Sequence, residues 1–166
     1  LCKSNYEKKK YLKLGINEKN IFSIGNLKYA YKPQVIKEED QKRKSTEFSN
    51  TKNFFLMAST HDPDEKNFLQ AIQELLINEI SVVIAPRHIE RSKKIANIFR
   101  DIGISVHFLS DSKNYVLGEW SVNAVLIVDT FGDLSKFYSN ARYVYVGGGY
   151  SKRGVQNIIE PSIYGK

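Results

Sequence analysis

The chain predicts an α/β fold, a Rossmann-like, doubly wound parallel sheet, and three observations carry that prediction. After Asn53, short apolar runs alternate with stretches whose apolar residues recur at helical spacing. The runs are apolar throughout, as strands are when helices cover both faces of their sheet. Four of the five runs end in polar or glycine-rich residues. In open parallel sheets, ligands bind outside those carboxyl ends.

The first residues read differently. Ser4-Asn5-Tyr6-Glu7 has capping-box spacing and opens a Lys-rich helix that ends at Gly15. Ile21-Phe22-Ser23-Ile24 reads as a short strand, followed by Gly25-Asn26-Leu27-Lys28-Tyr29. Beyond Lys32-Pro33 comes a charged tract from Lys37 to Lys52, with few apolar residues and no clean period. It reads as an interdomain linker, with a solvated helix inside it as a further option.

The regular pattern begins with Phe54 to Ala58, an apolar run and hence a buried strand. Asp62-Pro63-Asp64-Glu65 then offers an N-cap, a proline at the first helical position and a glutamate at the third. Phe68, Leu69, Ile72, Leu75, Leu76 and Ile80 follow at helical spacing. Ser81 to Ala85 is the second strand. Glu90 to Ile102 is a helix with Ile95, Phe99 and Ile102 on one face, stopped by Gly103. Ser105 to Leu109 is the third strand. A looser stretch, Ser110 to Trp120, leads to the fourth over Ala124 to Val128. A short helix around Leu134 to Ser139 precedes the fifth strand, Tyr143 to Val146, and a last helix spans about Asn157 to Tyr164.

Size and composition narrow the function. A chain of 166 residues with 42% hydrophobic content can bury a core of its own. No apolar run reaches transmembrane length. The net charge of +7 suits nucleic acid, an anionic surface or phosphorylated substrates, and equally an ordinary solvated surface. Aromatics do not interleave with the small clusters Lys8-Lys9-Lys10 and Lys42-Arg43-Lys44, which argues against nucleic acid. Cys2 is the only cysteine, and His61, His88 and His107 lack metal-motif spacing, so no metal site is expected. The chain begins at Leu1 and stops close to a helix, so it reads as a piece of a longer protein.

The candidate site lies at the strand ends. They are Ser59-Thr60-His61, Pro86-Arg87-His88, Asp129-Thr130-Phe131-Gly132 and Gly147-Gly148-Gly149. In the common doubly wound order, strands one and four flank the crevice, which predicts Thr60 close to Asp129 and Thr130. Each cluster has two readings. Ser59 and Thr60 either cap a helix or donate to phosphate. Arg87 is a surface ion pair or an anion fork, since guanidinium offers paired donors in one plane. His88 braces its loop or faces ligand, His61 is a cap neighbour or a site residue, and His107 reads as structural. Asp129 caps the helix after it or lines the site. The glycines form a tight turn or let backbone approach a ligand. Glu160 complements its helix dipole or accepts from the hydroxyls of a ribose.

Taken together, Met57-Ala58-Ser59-Thr60-His61, Ala85-Pro86-Arg87-His88-Ile89-Glu90-Arg91, Asp129-Thr130-Phe131-Gly132-Asp133-Leu134 and Val146-Gly147-Gly148-Gly149…Asn157-Ile158-Ile159-Glu160-Pro161 resemble the Kdo transferases of lipopolysaccharide synthesis. These 3-deoxy-D-manno-octulosonic acid transferases add Kdo to a lipid A precursor. Gly25 to Tyr29 also resembles that family's segment before its second domain. The resemblance covers nearly the whole chain, and the order and spacing of five motifs make it specific.

The resemblance implies one half of a two-domain, glycosyltransferase B-type fold. Residues 1–29 are then the tail of the acceptor domain, 30–52 a charged linker, and 53–166 the donor domain, incomplete at its C-terminus. The general base, a glutamate, is expected upstream, so no catalytic residue is expected here and the fragment alone is expected to be inactive. The implied donor-binding residues are Ser59, Thr60, Arg87, His88, Thr130, Gly147, Gly148, Gly149, Asn157 and Glu160. Ser59, Thr60, Arg87 and the Gly147–Gly149 backbone would face the CMP phosphate or Kdo carboxylate, Thr130 would line the cleft, and Asn157 and Glu160 would lie near the ribose. CMP-Kdo is the implied donor substrate and a lipid A precursor the acceptor, with no cofactor, no metal and no nucleic acid. The implied location is the cytoplasmic face of the bacterial inner membrane, with membrane association through the upstream part. The implied reaction is inverting: an acceptor hydroxyl attacks the anomeric carbon as CMP leaves.

Two positions depart from the family. Gln156 stands where a histidine is usual, and it cannot become a cation near pH 7. Gly149 stands where serine is often found. Two other functions fit parts of the pattern: a glycosyltransferase of the same fold with a UDP-sugar donor, and a non-catalytic nucleotide- or RNA-binding module using the positive charge.

Overall fold

The apolar runs pair into one five-stranded, all-parallel sheet in the computed structural model, which describes residues 1–30, 54–111, 123–150 and 154–166. The chain divides into two compact units, Leu1–Ile36 and Lys37–Lys166. The expected linker tract and most of the looser stretch before the fourth strand lie outside the described residues.

In the first unit, helix α1 spans Asn5–Lys13. Ser4 Oγ accepts the Glu7 amide at 3.2 Å, and the Glu7 carboxylate accepts the Lys3 amide at 2.8 Å. This is a capping box reaching one residue further back than usual. The segment read as a strand at Ile21–Ile24 makes only a bridge between Cys2 and Ser23. Cys2 donates to Phe22 O at 2.9 Å and accepts from Ile24 N at 3.1 Å. With no longer partner among the described residues, the apolar run has no ladder to extend.

The second unit holds strands β1 (Phe54–Thr60), β2 (Ser81–Pro86), β3 (Ser105–Phe108), β4 (Ala124–Ile127) and β5 (Tyr143–Val146). Its helices are α2 (Asp64–Asn67), α3 (Leu69–Ile77), α4 (Ser92–Arg100), α5 (Leu134–Tyr138) and α6 (Ile159–Ile163). Successive side chains of a strand point to opposite faces, and the core divides accordingly. Phe54, Leu56, Val83 and Leu126 pack with Phe137 and Tyr138 of α5. Met57, Val82, Ile84, Val125 and Ile127 pack with Ile72 and Leu76 of α3 and Ile95 and Phe99 of α4. Ile72, Ile95 and Phe99 are fully buried, and burying a side chain of that kind contributes about 1.5–3 kcal/mol.

The strand order is β3-β4-β2-β1-β5. It corrects the expected crevice: β5, not β4, flanks β1, and β4 sits between β2 and β3. Burial accounts for the difference. All of β4 is apolar and buried, so it needs a neighbour on each side, whereas β5 is half-covered and takes an outer position. Thr60 therefore lies beside the glycine loop, with β2 between β1 and the strand that delivers Asp129 and Thr130.

Local boundaries differ as well. The helix predicted from Pro63 breaks at Phe68 (φ −93°, ψ 1°) into α2 and α3. The Phe68 ring is drawn onto Tyr145, at 4.4 Å between centroids. Asp62 does not cap; its Oδ2 pairs with Lys94 at 2.9 Å, which holds its carboxyl below the usual range. The residues Ile89–Arg91 form a 3-10 turn before α4. β3 is an edge strand whose His107 is exposed.

Candidate functional site

The site begins where β1 breaks its register with β2 between Ala58 and Thr60. Ser59 sits there at φ +53°, a region few residues with a Cβ adopt. A bulge of this kind re-aims a strand end. Across it lies Gly147, whose amide donates to Ala58 O at 2.8 Å. A Cβ on Gly147 would stand 2.3 Å from Ser59 O and 2.6 Å from Thr60 Cα. Glycine is required by backbone packing alone.

Gly148 has φ +96°, and a Cβ there would stand 2.4 Å from Gly154 O. Its amide donates to Asp64 Oδ2 at 2.9 Å. Gly149 is different: a Cβ would make ordinary contacts, the nearest with Val155 Cγ2 at 3.8 Å. Two of the three glycine amides are thus engaged within the chain. The Gly149 amide makes no hydrogen bond with the described residues. Two of the three amides expected at the donor thus hold the loop's own shape.

The turn after β1 carries two buried carboxylates that sequence reading treated only as helix-start signals. Asp64 is fully buried and Glu65 nearly so. Asp64 Oδ2 also accepts the His61 amide at 2.8 Å, and its Oδ1 accepts the Tyr145 hydroxyl at 2.9 Å. Burial, then the Asp64 carboxylate, push the Tyr145 phenol well above its ordinary pKa. Glu65 Oε1 accepts the Thr60 hydroxyl at 2.6 Å, and Oε2 accepts Arg91 Nη2 at 2.8 Å. Arg91 Nη1 donates to Thr60 O at 3.1 Å, and the Arg87 amide donates to the same oxygen at 3.0 Å. Thr60 is therefore a structural node whose hydroxyl proton is committed to Glu65. The sequence signal for Arg91 was slight: one cation in a charged turn beyond Arg87.

Arg87 itself is exposed, and its guanidinium makes no ion pair among the described residues. Beside it His88 Nδ1 lies 3.5 Å from Glu90 Oε1, and its ring meets His61 edge-on at 5.8 Å. A guanidinium without a carboxylate is a ready fork for an anionic ligand.

The segment after the glycine loop is tied to it by Gln156 N donating to Gly147 O at 2.9 Å. Asn157 Oδ1 accepts the Ile159 amide at 3.2 Å, and its Nδ2 donates to Glu160 Oε1 at 3.0 Å. Asn157, one residue before the N-cap Ile158, thus accepts the first amide of α6 and holds the exposed Glu160. Thr130 and Asp129 bond locally at the end of β4. Thr130 Oγ1 donates to Asp133 Oδ2 at 2.5 Å, and Asp133 also takes the Lys136 ammonium. The Lys136 bond, then the Thr130 bond, lower the Asp133 pKa. Asp129 accepts from Ser110 N at 2.9 Å and Ser110 Oγ at 2.6 Å, so it braces β3 against β4 and caps no helix. The structure brings Ser59, Thr60, Arg87, Gly147 and Gly148 to neighbouring strand ends and sets Thr130 two strands away from Thr60.

No family model matches the chain. Among curated proteins, it is 32% identical over 164 residues to the 3-deoxy-D-manno-octulosonic acid transferase of Rickettsia bellii, covering 96% of this chain and 37% of that protein. It is 30% identical over 169 residues to the enzyme of the same name from Chlamydophila psittaci, covering 97% and 36%. The chain spans about a third of the length of these relatives. Among solved structures, it superposes on the C-terminal CMP-Kdo binding domain of WaaA from Acinetobacter baumannii with a TM-score of 0.63 and 23% identity, over 76% of this chain and 65% of that one. That likeness fixes the fold as the same Rossmann-like α/β type. Over nearly its whole length, the chain is similar in sequence to about a third of the length of curated 3-deoxy-D-manno-octulosonic acid transferases.

Proposed function

We propose that the chain is the donor-binding part of a glycosyltransferase that moves Kdo from CMP-Kdo to a lipid A precursor. The observation that carries the reading is the exposed Arg87 guanidinium, which has no ion pair among the described residues and stands after β2 at the carboxyl edge of the sheet, with β1 between it and the glycine loop after β5. CMP-Kdo carries a phosphate and a carboxylate, and both call for a cation. In the transfer, an acceptor hydroxyl attacks the anomeric carbon, the bond to CMP breaks, and the departing phosphate gains negative charge. Arg87 and the Gly149 amide are groups able to offset that charge. Glu160, exposed and steadied by Asn157, suits the ribose hydroxyls. The general base comes from a part of the protein outside this chain, and the reading calls for no metal. The acceptor, a lipid precursor, places the work at the cytoplasmic face of the inner membrane.

The test is transfer by the full-length protein with CMP-Kdo and a lipid A precursor, against UDP-sugars as donors. Release of CMP from CMP-Kdo that depends on the lipid A precursor is expected, with Kdo appearing on that acceptor. Turnover with a UDP-sugar alone would overturn the reading.

A further inference from the structure

The adjacent pair Asp64 and Glu65 has no place in the donor reading, yet both side chains are buried. A buried carboxylate is costly unless every oxygen is met by donors. Here each oxygen is met, and the partners belong to different loops. Asp64 gathers the His61 amide from its own loop, the Gly148 amide from the loop after β5 and the hydroxyl of Tyr145 on β5. Glu65 gathers the Thr60 hydroxyl and Arg91, which lies in the turn after β2. Arg91 and the Arg87 amide converge on Thr60 O.

From this we propose that Asp64 and Glu65 are positioning residues for the donor site. Asp64 fixes the glycine loop so that Gly149, and not Gly148, presents its amide to the ligand. Glu65, through Arg91 and Thr60, fixes the turn that carries Arg87. One helical turn thus sets the spacing between the cation and the amide that meet the donor's anionic groups. The inference rests on the donor reading above.

The test uses the full-length protein and needs no variant for its first part. Residue-resolved amide exchange is measured with and without CMP. The Gly148 amide should exchange slowly in both states, and the Gly149 amide should slow only when CMP is added. A Gly148 amide that exchanges freely without CMP would overturn the proposal. In the second part, Asp64→Ala should weaken CMP binding at least tenfold, and Asp64→Asn, which keeps one acceptor for the amides, should restore it to within about threefold. A folded Asp64→Ala protein with wild-type CMP affinity shows a merely structural residue and also overturns the proposal. Wild-type protein that binds no CMP overturns the donor reading first, before any variant is compared, and this inference falls with it.

Discussion

Asp64 Oδ2 accepts the amide of Gly148 at 2.9 Å and so joins two loops that stand 84 residues apart in the chain. The contact changes what the glycine-rich loop is for. A loop whose amides all pointed outward would be a general anion cradle. Here the amides of Gly147 and Gly148 are held within the chain, and of the three only the Gly149 amide has no hydrogen bond among the described residues.

The three glycines should therefore respond unequally to alanine. At Gly147 and Gly148 the added Cβ meets backbone atoms at 2.3 Å and 2.4 Å, which side-chain movement cannot relieve. Overpacking of this kind costs about 1–3 kcal/mol. Gly149→Ala should stay within about 0.5 kcal/mol of wild type, as surface substitutions usually do. Denaturant unfolding of the three full-length variants checks the order. Equal losses at all three positions would contradict it.

The two ion pairs near the turn should differ in the same assay. Arg91 and Glu65 are mostly buried, and removing one partner strands the other. Arg91→Met should cost about 3–5 kcal/mol. Lys94→Ala breaks only the exposed pair with Asp62 and should cost no more than about 1 kcal/mol. Similar losses for the two would mean that Glu65 finds another partner.

Alkaline pH should weaken the fold through Tyr145. Its phenol pKa is raised from about 10 by burial and by Asp64. Above the ordinary value the unfolded chain releases a proton that the folded chain keeps, so stability falls as pH rises from about 10. Tyr138 is raised in the same sense, chiefly by burial. Tyr145→Phe should therefore flatten the decline in melting temperature above pH 10 in part, not wholly. An identical slope in the variant would remove Tyr145 from the effect.

The fold was legible in the sequence because its signals are local. Apolar runs at 54, 81, 124 and 143 need only a count of neighbours, and each became a strand within a residue or two. Strand order was not legible, since it depends on which strands need two neighbours. The expected contact of Thr60 with Asp129 and Thr130 failed for that reason. Arg87 and the glycines were visible by residue type. Asp64, Glu65 and Tyr145 were not, because their partners lie in other loops and capping alone explains acidic residues in a first turn. Gly149 differs again: the room around it fits the serine often found there in the family, a match only coordinates reveal.

Arg87 should matter for the donor and little for stability. Its guanidinium has no acidic partner among the described residues, so its loss leaves nothing stranded. A charge-assisted hydrogen bond contributes roughly 1.5–3 kcal/mol. Arg87→Ala should thus lower catalytic efficiency in CMP-Kdo by about tenfold to a hundredfold, at unchanged melting temperature. Unchanged kinetics would make Arg87 an ordinary surface residue.

The central claim is that this edge of the sheet receives a cytidine-linked anionic donor, and calorimetric titration of the full-length protein with CMP and with UMP tests it most directly. The account predicts that CMP binds, that UMP binds more weakly, and that Glu160→Gln weakens CMP without lowering the melting temperature. Equal affinity for the two nucleotides, or no heat from CMP at all, would contradict it.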